Sequence, residues 1–323
     1  MMDRFIHAGV HNDPSSADAG VLGRNRISAA AEIVAVAGTG ELARLPVLSS
    51  QVPLVLRRTP EAVYVVGGAA GPIGGDELAL RISVGVGALL RVRTAAASIA
   101  LPGPDGLESV LRVTVDVAAG ARLEYLPEPV VVSAGARHAT IIRVALADGG
   151  SLLLRDELLL GRHGEAGGAG RTELHVSYAG RPLLRQSLEV SGTDADDLGP
   201  AVLAGHRGVG TLLHVDPALD ALFPGARDPL TVKAGGTTMA AVAEVSGAAA
   251  VADGIASGEP AEASRAELAD AASETDAAVA VMPLAGPAIL VTALANDAVA
   301  LRRYLSTTPS TRTPTCQLRH RHQ

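Results

Sequence analysis

The 323-residue sequence is poor in cysteine and in aromatic residues: it has one Cys, no Trp, and only 2% of Phe, Trp and Tyr together. The single cysteine, Cys316, excludes an internal disulfide and any cysteine cluster for zinc or iron–sulfur. Because 48% of the residues are hydrophobic but few are aromatic, the core must consist mainly of Ala, Val and Leu. A chain of this length can bury a substantial core, in one large domain or two.

The sequence also lacks the features of several functional classes. Its net charge of −7 gives no support for nucleic-acid binding. Residues 1–30 contain no apolar run, so no secretory signal is visible, and the single cysteine fits a reducing compartment such as the cytoplasm. Neither a G-x-S-x-G nucleophile elbow nor a phosphate loop ending in Lys-Ser or Lys-Thr is present. We therefore predict no catalytic residue.

One uncharged stretch, residues 277–296, is long enough to span a bilayer. Two prolines and a glycine interrupt it at positions 283–287. We interpret it as two short strands, 278–282 and 288–293, joined by a Pro-Gly turn, and we expect no membrane partner.

A repeated pattern of an alternating strand, a glycine turn and a second strand predicts the fold. Residues 87–92 recur at 120–125 and, more loosely, at 150–155, at offsets of 33 and 30 residues. Such a repeat is typical of stacked β-layers or a β-solenoid, although a series of ordinary hairpins shares the same turn residues. We predict a mainly β fold with solenoid-like stacked β-layers and a few short helices.

Three short helices are expected. The first is at 216–222, where Asp216-Pro217 supplies a cap and a first-turn proline. Another lies within 255–275, and the last is at 296–305, capped by Asn296 or Asp297. The apolar side of the last helix is predicted to comprise Val299, Leu301, Tyr304 and Leu305.

The domain organisation follows from composition. We expect a single β-rich domain over residues 26–306. A variable insertion or linker, rich in Ala, Gly and acidic residues, occupies 223–275. Residues 1–25 and 307–323 are expected to be disordered.

The stretch 121–137, ARLEYLPEPVVVSAGAR, is predicted to be unusually rigid. Pro127 and Pro129 cannot continue a helix and cannot donate hydrogen bonds in a β-ladder. They should hold Glu128 in a bent segment between two strands. By itself, this spacing also fits a proline-braced edge strand.

The same stretch closely resembles the central motif of the urease accessory protein D family, also called H. GPIGGD at 71–76, GRPLL at 180–184 and GHRGVGTLL at 205–213 resemble further motifs of that family, in the same order. The similarity covers roughly residues 40–215 and returns at the C-terminal helix. Two positions depart from the family pattern. Residues 94–100 replace a polar and aromatic motif, and His138 stands where the family usually has Phe.

The resemblance implies a cytoplasmic, non-catalytic scaffold for the maturation of nickel urease, with a β-rich, solenoid-like fold. It implies binding to accessory protein F and, through F, to the GTPase G. The complex would dock on the urease apoenzyme and pass nickel through an internal tunnel. We expect partner contacts at Tyr125, Pro127, Pro129 and Arg137 of the central motif.

Nickel is expected in transit and no cofactor is expected to be tightly bound, because a carrier needs weak, exchangeable ligands. We expect Asp76, Glu128 and His206 to line or flank a polar passage. Other histidines are open candidates: His214 is eight residues from His206, and residues 320–322 form a His-x-His tail. Six scattered acids are taken by default as solvated surface charge: Asp76, Glu124, Glu128, Asp156, Glu157 and Glu165.

Two alternatives belong to other functional classes. One is a β-solenoid enzyme acting on polysaccharide, which would need aromatic platforms for sugar rings and a carboxylate cluster on one face. The six aromatic residues of the chain supply few such platforms. The other is an interaction scaffold unrelated to nickel. Co-purification with urease or its accessory proteins would separate the maturation factor from both.

Overall fold

The computed structural model describes residues 26–39, 43–219 and 277–305. In these ranges the chain forms seventeen strands and one helix. The elements are β1 (Ser28–Val36), β2 (Arg44–Ser50), β3 (Leu54–Arg58), β4 (Val63–Gly67), β5 (Glu77–Val84), β6 (Leu89–Thr94), β7 (Ser98–Ala100), β8 (Ser109–Val117), β9 (Arg122–Leu126), β10 (Val130–Val132), β11 (Arg137–Leu146), β12 (Ser151–Leu160), β13 (Ala169–Tyr178), β14 (Arg181–Ser191), β15 (Gly208–Val215), β16 (Ala277–Pro283), β17 (Ala288–Ala295) and α1 (Ala298–Leu305).

The strands form two sheets whose apolar faces pack against each other. Sheet A has the order β14-β13-β11-β8-β5-β1-β2. Sheet B follows the path β16-β17-β15-β12-β9-β6-β4-β3, with β10 placed between β12 and β7. Because side chains alternate along a strand, each strand gives one set of residues to the layer between the sheets and the other set to an outer face.

The predicted repeat appears as stacked parallel strands. In sheet A, β5, β8 and β11 lie side by side, with Leu80 beside Val113 and Val113 beside Ile142. In sheet B, the strands that follow each glycine turn stack in the same way, and Leu90, Leu123 and Leu152 are in register. The chain therefore alternates between the two sheets, and the predicted solenoid-like stacking is confirmed.

The alignment of the third repeat was wrong by one residue. The register between Leu123 and Leu152 gives an offset of 29, so Gly149 and not Gly150 is equivalent to Gly87 and Gly120. The three equivalent glycines all have a left-handed backbone, with φ of 67°, 64° and 77° in chain order. Glycine adopts this conformation without the strain that a Cβ would bring.

A third column of strands completes the stack at the Pro-Glu-Pro segment. After β9 the chain turns through Pro127–Pro129 and continues as β10, which pairs in parallel with β7 on one side and with the end of β12 on the other. Residues Val130–Val132 thus lie beside Leu158–Leu160. The bent segment predicted from the two prolines is present between two strands.

The core between the sheets consists of small and branched aliphatic residues, as the composition predicts. Residues of both sheets contribute, and many are almost inaccessible to solvent: Ile33, Ile82, Val92, Leu123, Ile142, Leu154 and Leu213. Tyr125 is the one aromatic side chain that is fully buried among the described residues. Burial of aliphatic surface at about 25 cal/mol per Å² is the main favourable contribution to such a fold.

The uncharged stretch 277–296 forms β16 and β17, which confirms the two-strand interpretation. Within the described ranges, no helix combines the length and the apolar character needed to cross a bilayer. The helix expected from Asp216 is described only to Leu219, where Asp216 Oδ1 accepts a hydrogen bond from the Ala218 amide at 2.9 Å. The helix expected within 255–275, the insertion at 223–275 and both terminal segments lie outside the described residues.

Helix α1 begins after Asp297, as predicted, because the Asp297 carboxylate accepts hydrogen bonds from the amides of Val299 and Ala300, both at 2.8 Å. Leu301 and Leu305 pack on sheet B and are almost fully buried. Val299, predicted on the apolar side, is 74% exposed. The helix contacts the sheet through residues four apart, and position 299 faces away from that stripe.

Candidate functional site

Three consecutive charges lie in the middle of a central apolar strand. Strand β12 has the sequence SLLLRDELLL, with Arg155, Asp156 and Glu157 between leucines. Because side chains alternate, Arg155 and Glu157 point to the outer face of sheet B, and Asp156 points into the layer between the sheets. These residues organise two polar clusters, one on each side of the sheet.

The outer cluster is a network of buried ion pairs. The side chains of Glu157 and Arg155 are 0% and 8% exposed, and Glu157 Oε2 lies 3.3 Å from Arg155 Nε. Arg302 of α1 brings its Nη2 to 3.0 Å from the same oxygen. Arg155 also donates from Nη2 to the Pro127 carbonyl at 2.9 Å. The network therefore connects the central strand, the helix and the Pro-Glu-Pro segment.

Glu128 completes this network. Both of its carboxylate oxygens accept from Arg302 Nη1, each at 2.9 Å, while its amide donates to the Thr94 hydroxyl at 2.7 Å. The prolines on either side fix the backbone that aims Glu128 at the helix. Glu128, predicted as a nickel contact, is thus held by an arginine in the described structure.

Glycines on β15 allow α1 to approach the network. A Cβ on Gly210 would collide with the Leu305 side chain, and one on Gly208 would crowd Leu159 and Leu301. The close approach brings Arg302 over Glu157. Hydrophobic contacts of the helix and charged contacts of the network therefore depend on each other.

Burial and charge act against each other in the outer network. Burial raises the pKa of Glu157, and the guanidinium groups of Arg155 and Arg302 oppose this. Burial likewise lowers the pKa of Arg155, against the attraction of Glu157. Three buried polar atoms have no hydrogen-bond partner among the described residues: Arg155 Nε, Glu157 Oε1 and Arg302 Nε. The network is tightly packed but incompletely satisfied.

The inner cluster is a polar row within the apolar layer between the sheets. Asp156, Thr211 and Thr292 are cross-strand neighbours on β12, β15 and β17. From sheet A, Gln186 Nε2 lies 3.4 Å from the Thr211 hydroxyl, and Gln186 Oε1 has no partner among the described residues. Burial, helped by the charge of Glu157, raises the pKa of Asp156 to about 7. This row offers oxygen ligands in a weakly solvated setting.

A second buried polar group lies in sheet A at His138, one of the departures from the family pattern. Its Nδ1 is 2.9 Å from the Ser109 hydroxyl and its Nε2 is 3.3 Å from the Thr140 hydroxyl. Burial lowers the pKa of His138 to about 4, although the charge of Glu108 acts in the opposite direction. The imidazole is therefore neutral at pH 7 and satisfied by two hydroxyls.

The structure does not gather the three predicted nickel contacts into one cluster. The Asp76 carboxylate is buried and accepts from the amides of Ile27 and Ile73, both at 2.9 Å, so it connects the start of sheet A to the glycine loop. His206 lies in the loop before β15, half-buried, and its Nδ1 has no partner among the described residues. Across residues 26–39, 43–219 and 277–305, no three His, Cys, Asp or Glu side chains form a group that could hold a metal ion.

His214, the other internal histidine considered, lies on β15 with Nδ1 unpartnered among the described residues. Burial lowers its pKa. Since His206 precedes the strand, the two histidines do not share one strand face.

The predicted partner contacts differ in accessibility. Arg137 is exposed at the start of β11, and Pro127 is half-buried. Pro129 and Tyr125 are buried, and Tyr125 is only 3% exposed. Tyr125 and Pro129 can therefore act on a partner only through the shape of the segment. Their role in partner binding stays a prediction.

Six acids were predicted to be surface charge, and for two of them this was wrong. Asp76 and Glu157 are buried, and Asp156 is half-buried on the side of β12 that faces the layer between the sheets. Arg155 and Arg302 were not singled out at all. The available signal was the RDE triplet inside an otherwise apolar β12, because charges in the middle of a central strand are rarely solvated.

Comparisons with known proteins agree on one family. The family model described as UreD urease accessory protein matches residues 28–231. The chain is 42% identical to urease accessory protein UreD 3 of Streptomyces griseus over 271 residues, covering 81% of this chain and 87% of that protein. It is 37% identical to urease accessory protein UreD of a Parafrankia species, covering 87% and 88% of the two chains. The UreD of Frankia alni is 36% identical, with 88% and 93% covered. The family motifs recognised in the sequence, the stacked β-layers and these matches together show that the chain belongs to the UreD urease accessory protein family.

Proposed function

We propose that this protein is a cytoplasmic, non-catalytic urease maturation factor that helps deliver nickel to the urease apoenzyme in complex with accessory proteins F and G. The match of the UreD family model over most of the described chain carries the proposal. The relatives that cover most of the chain are named urease accessory proteins, which supports a role in the same process.

For the nickel path, we propose that the ion passes weak oxygen and nitrogen donors and is not held in a closed site. His206 Nδ1 before β15 has no hydrogen-bond partner among the described residues, and Asp156 lies in the polar row between the sheets, so both are available as metal ligands. Glu128 would have to leave Arg302, and Asp76 would have to break two amide hydrogen bonds. Weak donors of this kind suit a metal that must be passed on.

The candidate residues should differ in how their substitution affects nickel transfer. Substitution of His206 or Asp156 should reduce transfer without disrupting the partner complex. Substitution of Glu128 should act on transfer and on the docking of α1 together. Substitution of Asp76 should act mainly on the fold, since its carboxylate connects two backbone segments.

The test is the nickel content of urease produced in cells that lack this chain and are complemented with variants. The wild-type chain should restore nickel loading, and the double variant Asp156→Asn/His206→Gln should restore much less while retaining the partner complex. Glu32→Gln/His163→Gln, which removes a carboxylate and an imidazole at exposed positions outside the row, is the matched control and should load nearly normally. If urease acquires as much nickel without the chain as with it, the proposed function is wrong.

The alternative of a polysaccharide-active enzyme has no support from the groove on the outer face of sheet A. This groove is lined by arginine, histidine, aspartate, serine and threonine together with aliphatic residues, glycine and proline, and has no Phe, Tyr or Trp side chain. Sugar rings usually stack on aromatic platforms. No second function is therefore proposed.

A further inference from the structure

The outer face of sheet A carries arginines that take no part in the two polar clusters of sheet B. The arginine face is defined by Arg81, Arg112, Arg143 and Arg185, which are all exposed. Strand registers place Arg81, Thr114, Arg143, His175 and Arg185 in one row across β5, β8, β11, β13 and β14. Since neighbouring strands lie about 4.8 Å apart, the row is about 19 Å long.

These arginines have no carboxylate partner within the described part of the chain. None of the four makes an ion pair there, whereas Arg171, on the same face, pairs with Glu108 and Glu173. The protein as a whole has a net charge of −7. Glu32 of β1 lies beside Arg81 in register, without an ion pair between them, so the uncompensated positive charge is concentrated at Arg143 and Arg185.

A groove follows the same row. Its volume is about 330 Å³, and its lining includes the donors Thr114, Arg143, His175, Ser177 and Arg185 and one carboxylate, Asp116. Guanidinium groups bind carboxylates through two parallel hydrogen bonds, and a rigid sheet holds them at fixed spacing. The groove can therefore accept acidic side chains two or three residues apart on an extended or helical segment.

We propose that the arginine face docks an acidic surface segment of a partner protein, with Asp or Glu carboxylates on Arg143 and Arg185. The proposal rests on the proposed function for the partner's identity, a component of the urease machinery. The chemistry favours a protein over a nucleic acid, because the row has no Phe, Tyr or Trp for base stacking and its few arginines suit a short run of carboxylates better than a long phosphate backbone. An anionic membrane surface would need a larger cluster of Lys and Arg than this row supplies.

The direct test uses poly-L-glutamate as the probe and the full-length chain. Wild-type protein should bind it, more weakly as salt is raised, and Arg143→Glu/Arg185→Glu should bind about tenfold less tightly or worse. Arg57→Glu/Arg58→Glu, an equal charge reversal on exposed residues of β3, is the matched control and should change binding less than about twofold. Thermal melting of each variant checks that the fold is intact. Equal binding by wild type and the Arg143/Arg185 variant would overturn the proposal.

If the arginine face binds something other than an acidic segment of a partner protein, the results differ and count against the proposal. Tighter binding of double-stranded RNA or of phosphatidylserine vesicles than of poly-L-glutamate would assign the face to a phosphate-bearing ligand. The chain itself has seven acids and one arginine in residues 253–276. If changing those seven acids to their amides greatly strengthens poly-L-glutamate binding, the face is occupied by the chain's own segment.

The role in maturation is tested separately in cells. If the wild-type chain does not raise the nickel content of urease, the proposed function fails, whatever the arginine face binds. If wild type raises it and Arg143→Glu/Arg185→Glu does so equally, with equal recovery of the urease apoprotein in the complex, the docking proposal fails alone. The expected result is loss of the complex with the reversal and retention with the Arg57/Arg58 control.

Discussion

The outer faces of the two sheets use charge in opposite ways. On sheet B, Arg155, Glu157, Arg302 and Glu128 form a closed network beneath helix α1, and Arg91, Arg93 and Arg122 gather around Glu124. On sheet A, a row of exposed arginines has no acid partner in the described ranges. Arginine side chains are therefore held in ion pairs on the outer face of sheet B and are exposed without ion pairs on the outer face of sheet A.

Substitutions on the two faces should therefore change different properties of the protein. A buried charge that loses its partner retains its desolvation cost, so changes on sheet B should act on stability. An exposed charge is already solvated, so changes on sheet A should leave stability nearly unaltered and act on association.

The largest effect is expected for Glu157→Ala. It leaves two guanidinium groups without their shared carboxylate under the helix, and we expect the free energy of unfolding to fall by about 3–5 kcal/mol. Urea denaturation of the full-length chain measures this. The matched control is Glu32→Ala on the exposed face of β1, for which the change should stay within about 0.5 kcal/mol.

The double variant Arg155→Met/Glu157→Leu sharpens this test. It removes the buried pair together and leaves Arg302 bound to Glu128, so it should lose much less stability than Glu157→Ala. If the single and double variants are equally destabilised, the loss comes from packing and not from an unpaired charge.

The free energy of unfolding should depend on pH because of Asp156, which lies in the layer between the two sheets. Its folded pKa of about 7 lies above the unfolded value, so the native state holds a proton that the unfolded chain releases from about pH 4 upward. The free energy of unfolding should therefore fall as pH rises from 4 through 7, by about 2–4 kcal/mol. Asp156→Asn should flatten this part of the profile and be the more stable protein at pH 8.

At lower pH, His138 should change the free energy of unfolding in the direction opposite to Asp156. Its folded pKa of about 4 lies below the unfolded value of 6.5, so its contribution is present above pH 6.5 and is lost as pH falls toward 4. His138→Gln should reduce that acid-side loss without altering the change between pH 7 and 8. A wild-type profile without either slope would contradict the described burial of both groups.

The fold could be predicted from the sequence because stacked strands require a pattern of apolar residues and glycine turns that repeats along the chain. Alternating apolar residues and glycine turns indicated the layers, and the two prolines indicated the bend around Glu128. The register of the third repeat was missed because Gly149 and Gly150 are adjacent and only the backbone shows which one has positive φ. Pattern alone could not separate them.

The candidate site was less predictable because its parts are distant in sequence. Glu128 and Arg302 are 174 residues apart, and no local spacing indicates that they meet. Asp76 could be recognised as a loop acid, but its two amide hydrogen bonds depend on Ile27 of another strand. The RDE triplet of β12 was visible, yet which charge faces which side follows only from the strand's place in sheet B.

A smaller effect is expected at the start of the helix that closes the sheet B network. Asp297→Ala removes an acceptor for two helix amides and should cost about 1 kcal/mol. Asn296→Ala, one residue earlier, is the matched control and should cost a few tenths at most. Equal losses would mean that Asp297 does not cap α1. Urea denaturation of both variants under identical conditions measures the two losses of stability.

The most direct test of the division between the faces is the amount of urease apoprotein that co-purifies with each mole of folded, full-length chain. Two variants are compared with wild type: Arg143→Glu/Arg185→Glu on sheet A and Arg155→Met/Glu157→Leu on sheet B. We predict a loss of about tenfold or more for the sheet A variant and recovery close to wild type for the sheet B variant. Equal recovery with both variants, or a loss confined to the sheet B variant, would contradict it.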